Sequence, residues 1–155
     1  MAVVLITGMS GAGKSTALAG LAGAGFETVD TDGPGWIERV DGEPLWRPER
    51  IDEALDRPRT GPLILLGTVA NQGSWAHRFD AVVLLTAPVE VLVRRLHDRL
   101  PGEFGAAEGD RAQVAEDTAE VEPRLRAMAT HVVDTSGDPA DVVAALVAIV
   151  EEVAG

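Results

Sequence analysis

An unbroken apolar run, Val3-Val4-Leu5-Ile6-Thr7, leads without a spacer into Gly8-Met9-Ser10-Gly11-Ala12-Gly13-Lys14-Ser15-Thr16. A helical stripe, Leu18, Leu21 and Ala22, follows at once. A strand, a glycine-rich loop and a helix are thus written in direct succession, and the loop has the spacing G-x-x-x-x-G-K-[ST]. Glycines at 8, 11 and 13 let backbone N–H groups approach an anion with no Cβ in the way. The helix then turns its positive N-terminal end on the same point. Such a loop holds the phosphates of a nucleotide. The expected contacts are Gly8, Ser10, Gly11, Ala12, Gly13, Lys14, Ser15 and Thr16. Lys14 has the catalytic place at the β- and γ-phosphates of ATP, and Ser15 offers its hydroxyl to Mg²⁺. Of the 13 Lys and Arg residues, Lys14 is the only lysine. A chain that otherwise writes its cations as Arg uses a compact ammonium here. A chance glycine-rich turn would leave the strand before it and the helix after it unexplained.

The rest of the composition narrows the class. A length of 155 residues suits one domain, 1–155, and 46 % apolar residues suffice for a core. There is no cysteine, so disulfides and thiolate metal sites are excluded. A net charge of −12 repels nucleic-acid backbones, so nucleic acid is not an expected partner. No apolar run approaches the ~20 residues of a membrane span, and no basic leader precedes Val3. The expectation is a soluble, cytoplasmic monomer without membrane contact.

Three runs, 3–6, 63–66 and 81–85, are apolar without alternation, which is how strands buried on both faces of a parallel sheet read. Shorter candidates are 27–30 and 131–134. Five strands separated by helical patterns predict an α/β, three-layer fold with a five-stranded parallel sheet covered by helices. Residues 36–59 read as short helices and loops, at Trp36-Ile37 and at 49–55, punctuated by Pro44, Pro48 and Pro58. Val89, Leu92, Val93, Leu96 and Leu100 recur at helical spacing. The glycine-containing stretch that follows, about 100–110, reads as a short lid. Asp110 with Gln113 suggests a capping box. Val114, Thr118, Val121, Leu125 and Met128 line one face of the next helix, with Pro123 inside it. Asp138-Pro139-Ala140-Asp141 starts the last helix.

Ligands of an open parallel sheet bind beyond the carboxyl ends of its strands. The strand at 63–66 ends in Gly67-Thr68, where many phosphate-loop proteins carry a magnesium-holding Asp. Asp30-x-Asp32 is then the acidic pair nearest the loop. An extended backbone would place both carboxylates on one face, which suits the need of the loop beside them for a carboxylate; a strand-ending turn with Asx chemistry is the other reading. Arg95 and Arg99 form an i, i+4 pair leading into the lid, either facing the moving phosphate or solvated and paired with Glu90 or Asp98. Trp36, Trp46 and Arg47 lie where an acceptor would be held, although tryptophans more often serve the core. Gly67 is placed on the substrate side. The histidines at 77, 97 and 131 have no metal-ligand spacing.

With these residues in view, the chain resembles the small phosphate-loop kinases, the group of shikimate, gluconate and nucleoside monophosphate kinases. Arg95-Leu96-His97-Asp98-Arg99 is similar to the arginine pair flanking their lid, which implies Arg95 against adenine and Arg99, catalytic, near the phosphates. The stretch Val133-Asp134-Thr135-Ser136-Gly137-Asp138-Pro139 resembles the loop over the adenine and implies nucleotide contact by Thr135. The resemblance to shikimate kinase implies Asp30 on magnesium and Asp32 as catalytic base at the acceptor hydroxyl. Gly42-Glu43-Pro44-Leu45-Trp46-Arg47 is loosely similar to its G-E-x-x-F-R stretch, which implies Arg47 on the substrate. Its triple glycine and the arginine and tyrosine of its R-x-P-L-Y stretch are absent, the latter reading Val121-Glu122-Pro123-Arg124-Leu125. The implied activity is an ATP- and Mg²⁺-dependent kinase acting on a small-molecule acceptor through Asp32, Arg47 and Gly67. A nucleoside monophosphate kinase, drawing on Arg47, Arg50 and Arg78, and a nucleotide-binding ATPase or regulatory protein without an acceptor are the alternatives.

Overall fold

The unalternating runs form the centre of a parallel sheet. In the computed structural model, which describes residues 2–9, 11–98 and 108–155, β1 (Val3–Thr7) is buried along its whole length. It is flanked by β5 (Leu63–Leu66) and β6 (Ala81–Thr86), with β2 (Glu27–Asp30) and β7 (His131–Asp134) at the edges. All neighbours are parallel, in the order β2-β5-β1-β6-β7. The period of two in a strand then assigns the core residues. Val4, Ile6, Ile64, Leu66, Val83 and Leu85 share a core with Leu18 and Leu21 of α1 (Lys14–Gly23) and Leu146 and Val150 of α5 (Pro139–Ala154). Val3, Leu5, Leu63, Leu65 and Val82 face Trp46, Trp75 and the Ile51 and Leu55 of α2 (Pro48–Asp56). The expected three layers are present, and each interior strand is apolar on both faces because each face has its own cover.

Helix boundaries follow local chemistry. After α1, Gly25 takes a φ of 97°; its N–H bonds Ala22 O and that of Phe26 bonds Leu21 O, a Schellman closure. Asp138 caps α5 by accepting from Ala140 N–H at 2.9 Å. α3 (Val89–His97) buries Leu92 and Leu96 and packs on α4 (Glu108–Met128), which contains Pro123. α4 already includes Glu108, so Asp110 lies within the helix and not at its cap. Most of the expected lid, together with Arg99 and Ser10, falls outside the described residues. No helix among the described residues is long and apolar enough to cross a membrane.

The expectation of a helix at Trp36-Ile37 fails. Residues 37–46 form an antiparallel hairpin, β3 (Ile37–Val40) with β4 (Glu43–Trp46). Asp41 and Gly42 both have positive φ, 52° and 81°, the backbone of a two-residue hairpin turn. Pro44 fits because β4 has a neighbour on one side only. The expected helix at 49–55 is present as α2, and the loop after β5 winds into a 3₁₀ segment, Gln72–Arg78.

Candidate functional site

At Gly8 the loop after β1 leaves no room for a side chain. A Cβ on Gly8 would lie 2.6 Å from the Leu85 carbonyl of β6. Gly13, the residue before α1, has φ 92° and ψ 18°. The first helical bond runs from Ala17 N–H to Gly13 O at 3.0 Å. The amides of Ser15 and Thr16 precede that bond and point out of the helix end. They face a cavity of about 460 Å³ lined by Gly11, Gly13, Lys14, Ser15, Thr16, Asp32 and Arg95. A second cavity of about 140 Å³ shares the wall of Gly13, Thr16 and Arg95 and continues along Ala17, Thr135, Pro139 and Val142. The first is lined by groups that suit phosphates, the second mainly by groups that suit a flat base.

Lys14 Nζ donates to Gly8 O at 2.6 Å and to Thr68 Oγ1 at 3.1 Å. The register Ile6↔Leu66 brings the end of β5 beside the start of the loop. There the Thr68 hydroxyl meets Gly8 O at 2.7 Å, Gly8 N–H at 3.1 Å and Thr7 Oγ1 at 2.9 Å. Buried Gln72 fixes this corner, donating to Thr7 Oγ1 at 3.3 Å and accepting from Val69 N–H at 3.0 Å. Sequence reasoning placed Thr68 at this strand end, where a carboxylate is missing, and gave its hydroxyl no role. The available signal was a hydrogen-bonding residue directly after a strand adjacent to the loop.

Asp32 reaches the larger cavity with Lys14 and Ser15. Its side chain keeps a solvent-exposed side, yet protein crowds the carboxyl. That partial desolvation raises its pKa above the ordinary 3.8; Lys14 opposes the rise and Asp30 adds to it. The extended presentation of the pair does not occur. The chain turns at Asp30, whose O accepts from Gly33 N–H at 3.2 Å and whose Oδ1 accepts from Asp32 N–H at 2.9 Å. Asp30 therefore shapes the turn that presents Asp32. Between them, buried Thr31 donates to Leu66 O at 2.6 Å and accepts from Trp46 Nε1 at 2.8 Å.

The expected acceptor residues do not gather. Trp46 is fully buried, edge-on to Trp75 at 5.7 Å, and serves the core. A Cβ on Gly67 would collide with Thr31 Oγ1 and lie 3.1 Å from the Trp46 ring, so packing accounts for this glycine. Arg47 faces Glu38 at 3.8 Å and lines neither cavity. Arg50 lies 4.5 Å over Trp36, and Arg78 pairs with Asp56 at 2.8 Å. The three arginines that a phosphate acceptor would need are directed elsewhere.

Arg95 and Thr135 do meet the loop. Arg95 Nη1 donates to Gly11 O at 2.9 Å and to Thr135 Oγ1 at 3.0 Å, and Nη2 donates to Thr135 O. Thr135 Oγ1 donates to Ala12 O at 2.6 Å. Arg95 thus turns to the loop, away from Glu90 and Asp98. Next to it, Asp134 lies below the usual carboxylate range, held there first by hydrogen bonds from the Ser136 side chain and backbone.

The fold has counterparts among known proteins. The sequence pattern of a family described as an AAA domain matches residues 4–116. A nucleotide-binding protein of Dinoroseobacter shibae is 35 % identical over 138 residues, covering 86 % of this chain and 45 % of the relative. One from Delftia acidovorans is 37 % identical over 145 residues, 86 % and 47 % respectively. The chain spans about half the length of the curated relatives it matches. Shikimate kinase from Acinetobacter baumannii, in complex with shikimate, superposes with a TM-score of 0.68 at 20 % identity, covering 98 % of this chain and 94 % of the other. Deoxyadenosine kinase from M. mycoides with bound dATP gives 0.64 at 15 %, covering 97 % and 100 %. A gluconokinase from Sinorhizobium meliloti 1021 gives 0.57 at 20 %, covering 97 % and 94 %. At these identities the likeness is one of fold, a phosphate-loop kinase-like fold.

Proposed function

The chain belongs to the AAA-domain family, and on that premise we propose that it is an ATP- and Mg²⁺-dependent phosphotransferase acting on a small-molecule hydroxyl. The observation that carries this reading is the convergence of Lys14, Ser15 and Asp32 on one cavity at the N-terminus of α1. Phosphoryl transfer needs little else from a protein than position and charge. The glycine-lined loop and the amides ahead of Ala17 fit a triphosphate. Among the described residues no three Asp, Glu or His side chains form a metal cage. Magnesium would be held by Ser15 together with the oxygens of the nucleotide and water, with Asp30 acting through water. When bound, it would neutralise those oxygens.

Each side chain then has a task. Lys14 offsets the charge that gathers on the oxygen between the β- and γ-phosphorus as its bond to the γ-phosphorus breaks. Asp32, its basicity raised, takes the proton of the acceptor hydroxyl as the new oxygen–phosphorus bond forms. Asp30 holds the turn that aims Asp32. Arg95 and Thr135 tie the loop to the wall of the base cavity. For Arg99 and Ser10, which lie outside the described residues, a role at the phosphates is part of the proposal.

A second reading, a nucleotide-binding module without an acceptor, is favoured by the name that the curated relatives carry. One experiment separates the two. ATP labelled in its γ-phosphate is incubated with the protein and a pool of bacterial metabolites. The proposal expects label in a new phosphorylated compound, abolished by Asp32→Asn while ATP binding persists. Label found in inorganic phosphate alone, at a rate the pool does not change, would replace it with the second reading.

A further inference from the structure

A third cavity, of about 380 Å³, is lined by Thr68 but not by Lys14. Its depth is formed by Thr68, Val69 and buried Gln72, and one wall by Val121, Leu125 and Met128 of α4. Two charged residues, Glu43 and Arg124, line it and are exposed, which places them at its mouth. The cavity and the phosphate site thus meet at one residue: Thr68 lines the cavity, and its hydroxyl accepts from Lys14 Nζ at 3.1 Å.

We propose that this cavity is the acceptor site, and that its acceptor is a small hydroxyl compound with an apolar body and no more than one negative charge. The inference rests on the phosphotransferase reading and adds the location and chemistry of the second substrate. Volume alone admits a metabolite-sized ligand. The shared residue Thr68 would let a ligand seated in this cavity extend its hydroxyl to the neighbouring cavity that Lys14 and Asp32 line. The lining sets the class. Val69, Val121, Leu125 and Met128 reward apolar area. One guanidinium at the mouth can bind one carboxylate or sulfonate. The Glu43 carboxylate at the same mouth opposes a dianion, and Arg47, Arg50 and Arg78 are engaged with Glu38, Trp36 and Asp56. Among the described residues no acidic side chain forms an ion pair with Arg124, so it is available to a ligand there. A nucleoside monophosphate, with its phosphate dianion, is the wrong charge for this site.

The test is ligand-observed NMR with the donor site saturated by Mg²⁺ and a non-hydrolysable ATP analogue. The probes are benzyl alcohol, 4-(hydroxymethyl)benzoate and AMP, offered to the wild type, to Ala70→Trp, which fills the cavity from an exposed wall position, and to Arg124→Glu. Benzyl alcohol and the benzoate should bind the wild type and lose their signal in Ala70→Trp. Arg124→Glu should weaken the benzoate about tenfold and leave the alcohol unchanged. AMP preferred over the benzoate, binding unaffected by both substitutions, or no binding by either small alcohol would each overturn the assignment. Arg124→Glu alters only an exposed side chain, so it keeps the test valid even if the tryptophan variant fails to fold. Titration of the ATP analogue alone reports on the phosphotransferase reading. If the analogue does not bind, that reading falls; if it binds and the alcohols do not, only the acceptor site falls.

Discussion

Thr68 Oγ1 lies against Lys14 Nζ, both polar groups of Gly8 and the Thr7 hydroxyl. Valine has the same shape and none of these bonds. Thr68→Val leaves Gly8 N–H and Lys14 each short of a partner, a loss of about 1–3 kcal/mol shared between folding and ligand binding. ATP affinity measured by titration calorimetry should fall roughly tenfold, with Thr68→Ser restoring most of it; unchanged affinity in the valine variant would remove Thr68 from the site. Asp32 poses the opposite case, a group that costs stability. Its native carboxyl holds a proton to higher pH than the unfolded chain does. Between the ordinary 3.8 and the raised value the native state binds more protons, so stability falls as pH rises through that window and the deficit persists at neutral pH. Asparagine does not titrate. Asp32→Asn should melt higher at pH 7, on the order of 1 °C for so exposed a group, and the gain should close as pH falls toward 3.8. A lower melting temperature at pH 7 would contradict the desolvation account.

The hairpin of β3 and β4 shows which local signals sequence reasoning used and which it passed over. Asp41-Gly42 between short apolar-flanked runs is a hairpin signal in its own right. Pro44 and Pro48 drew the reading toward loops, because proline's missing N–H counts against a strand unless the strand's pairing is known. α5 was legible in detail, since a cap, a proline and an apolar stripe all lie within one stretch of chain. Gly67 was not, because its cause is Thr31 and Trp46, and no local pattern announces a side chain that fills a glycine's space from another element. Glycine substitutions separate backbone geometry from packing. Neither Gly42 nor Gly23 has any atom within 4 Å of an added Cβ. Gly42 has φ 81° at the hairpin turn, whereas Gly23 closes α1 with no positive φ. Gly42→Ala should therefore destabilise by about 1 kcal/mol and Gly23→Ala stabilise by roughly 0.5–1 kcal/mol, read by urea unfolding. Equal shifts for the two would show that turn geometry does not govern the hairpin.

Across the whole molecule, the sheet and the donor loop were readable because each is written contiguously. Strands at 3–6, 63–66 and 81–85 fell within a residue of their observed ends, since burial on both faces leaves no polar residue to blur them. The third cavity joins Glu43, Thr68 and Arg124, and only a fold relates positions so distant in sequence. Net charge acts on the same scale. A protein of −12 must admit a nucleotide of its own sign, so its long-range field opposes the encounter while Lys14, Arg95 and the α1 amides attract only at close range. The two terms respond differently to salt. The Debye length falls from ~30 Å at about 0.01 M to ~8 Å at about 0.15 M, which screens the distant carboxylates before it reaches contacts inside the cavity. The association rate of a fluorescent ATP analogue, followed by stopped flow, should therefore rise several-fold over that range, opposite to the fall seen when a basic cleft steers an anion. A rate that falls with salt would mean that the local cations project beyond the cavity and dominate the approach, and that the acidic surface is arranged away from the mouth of the phosphate site.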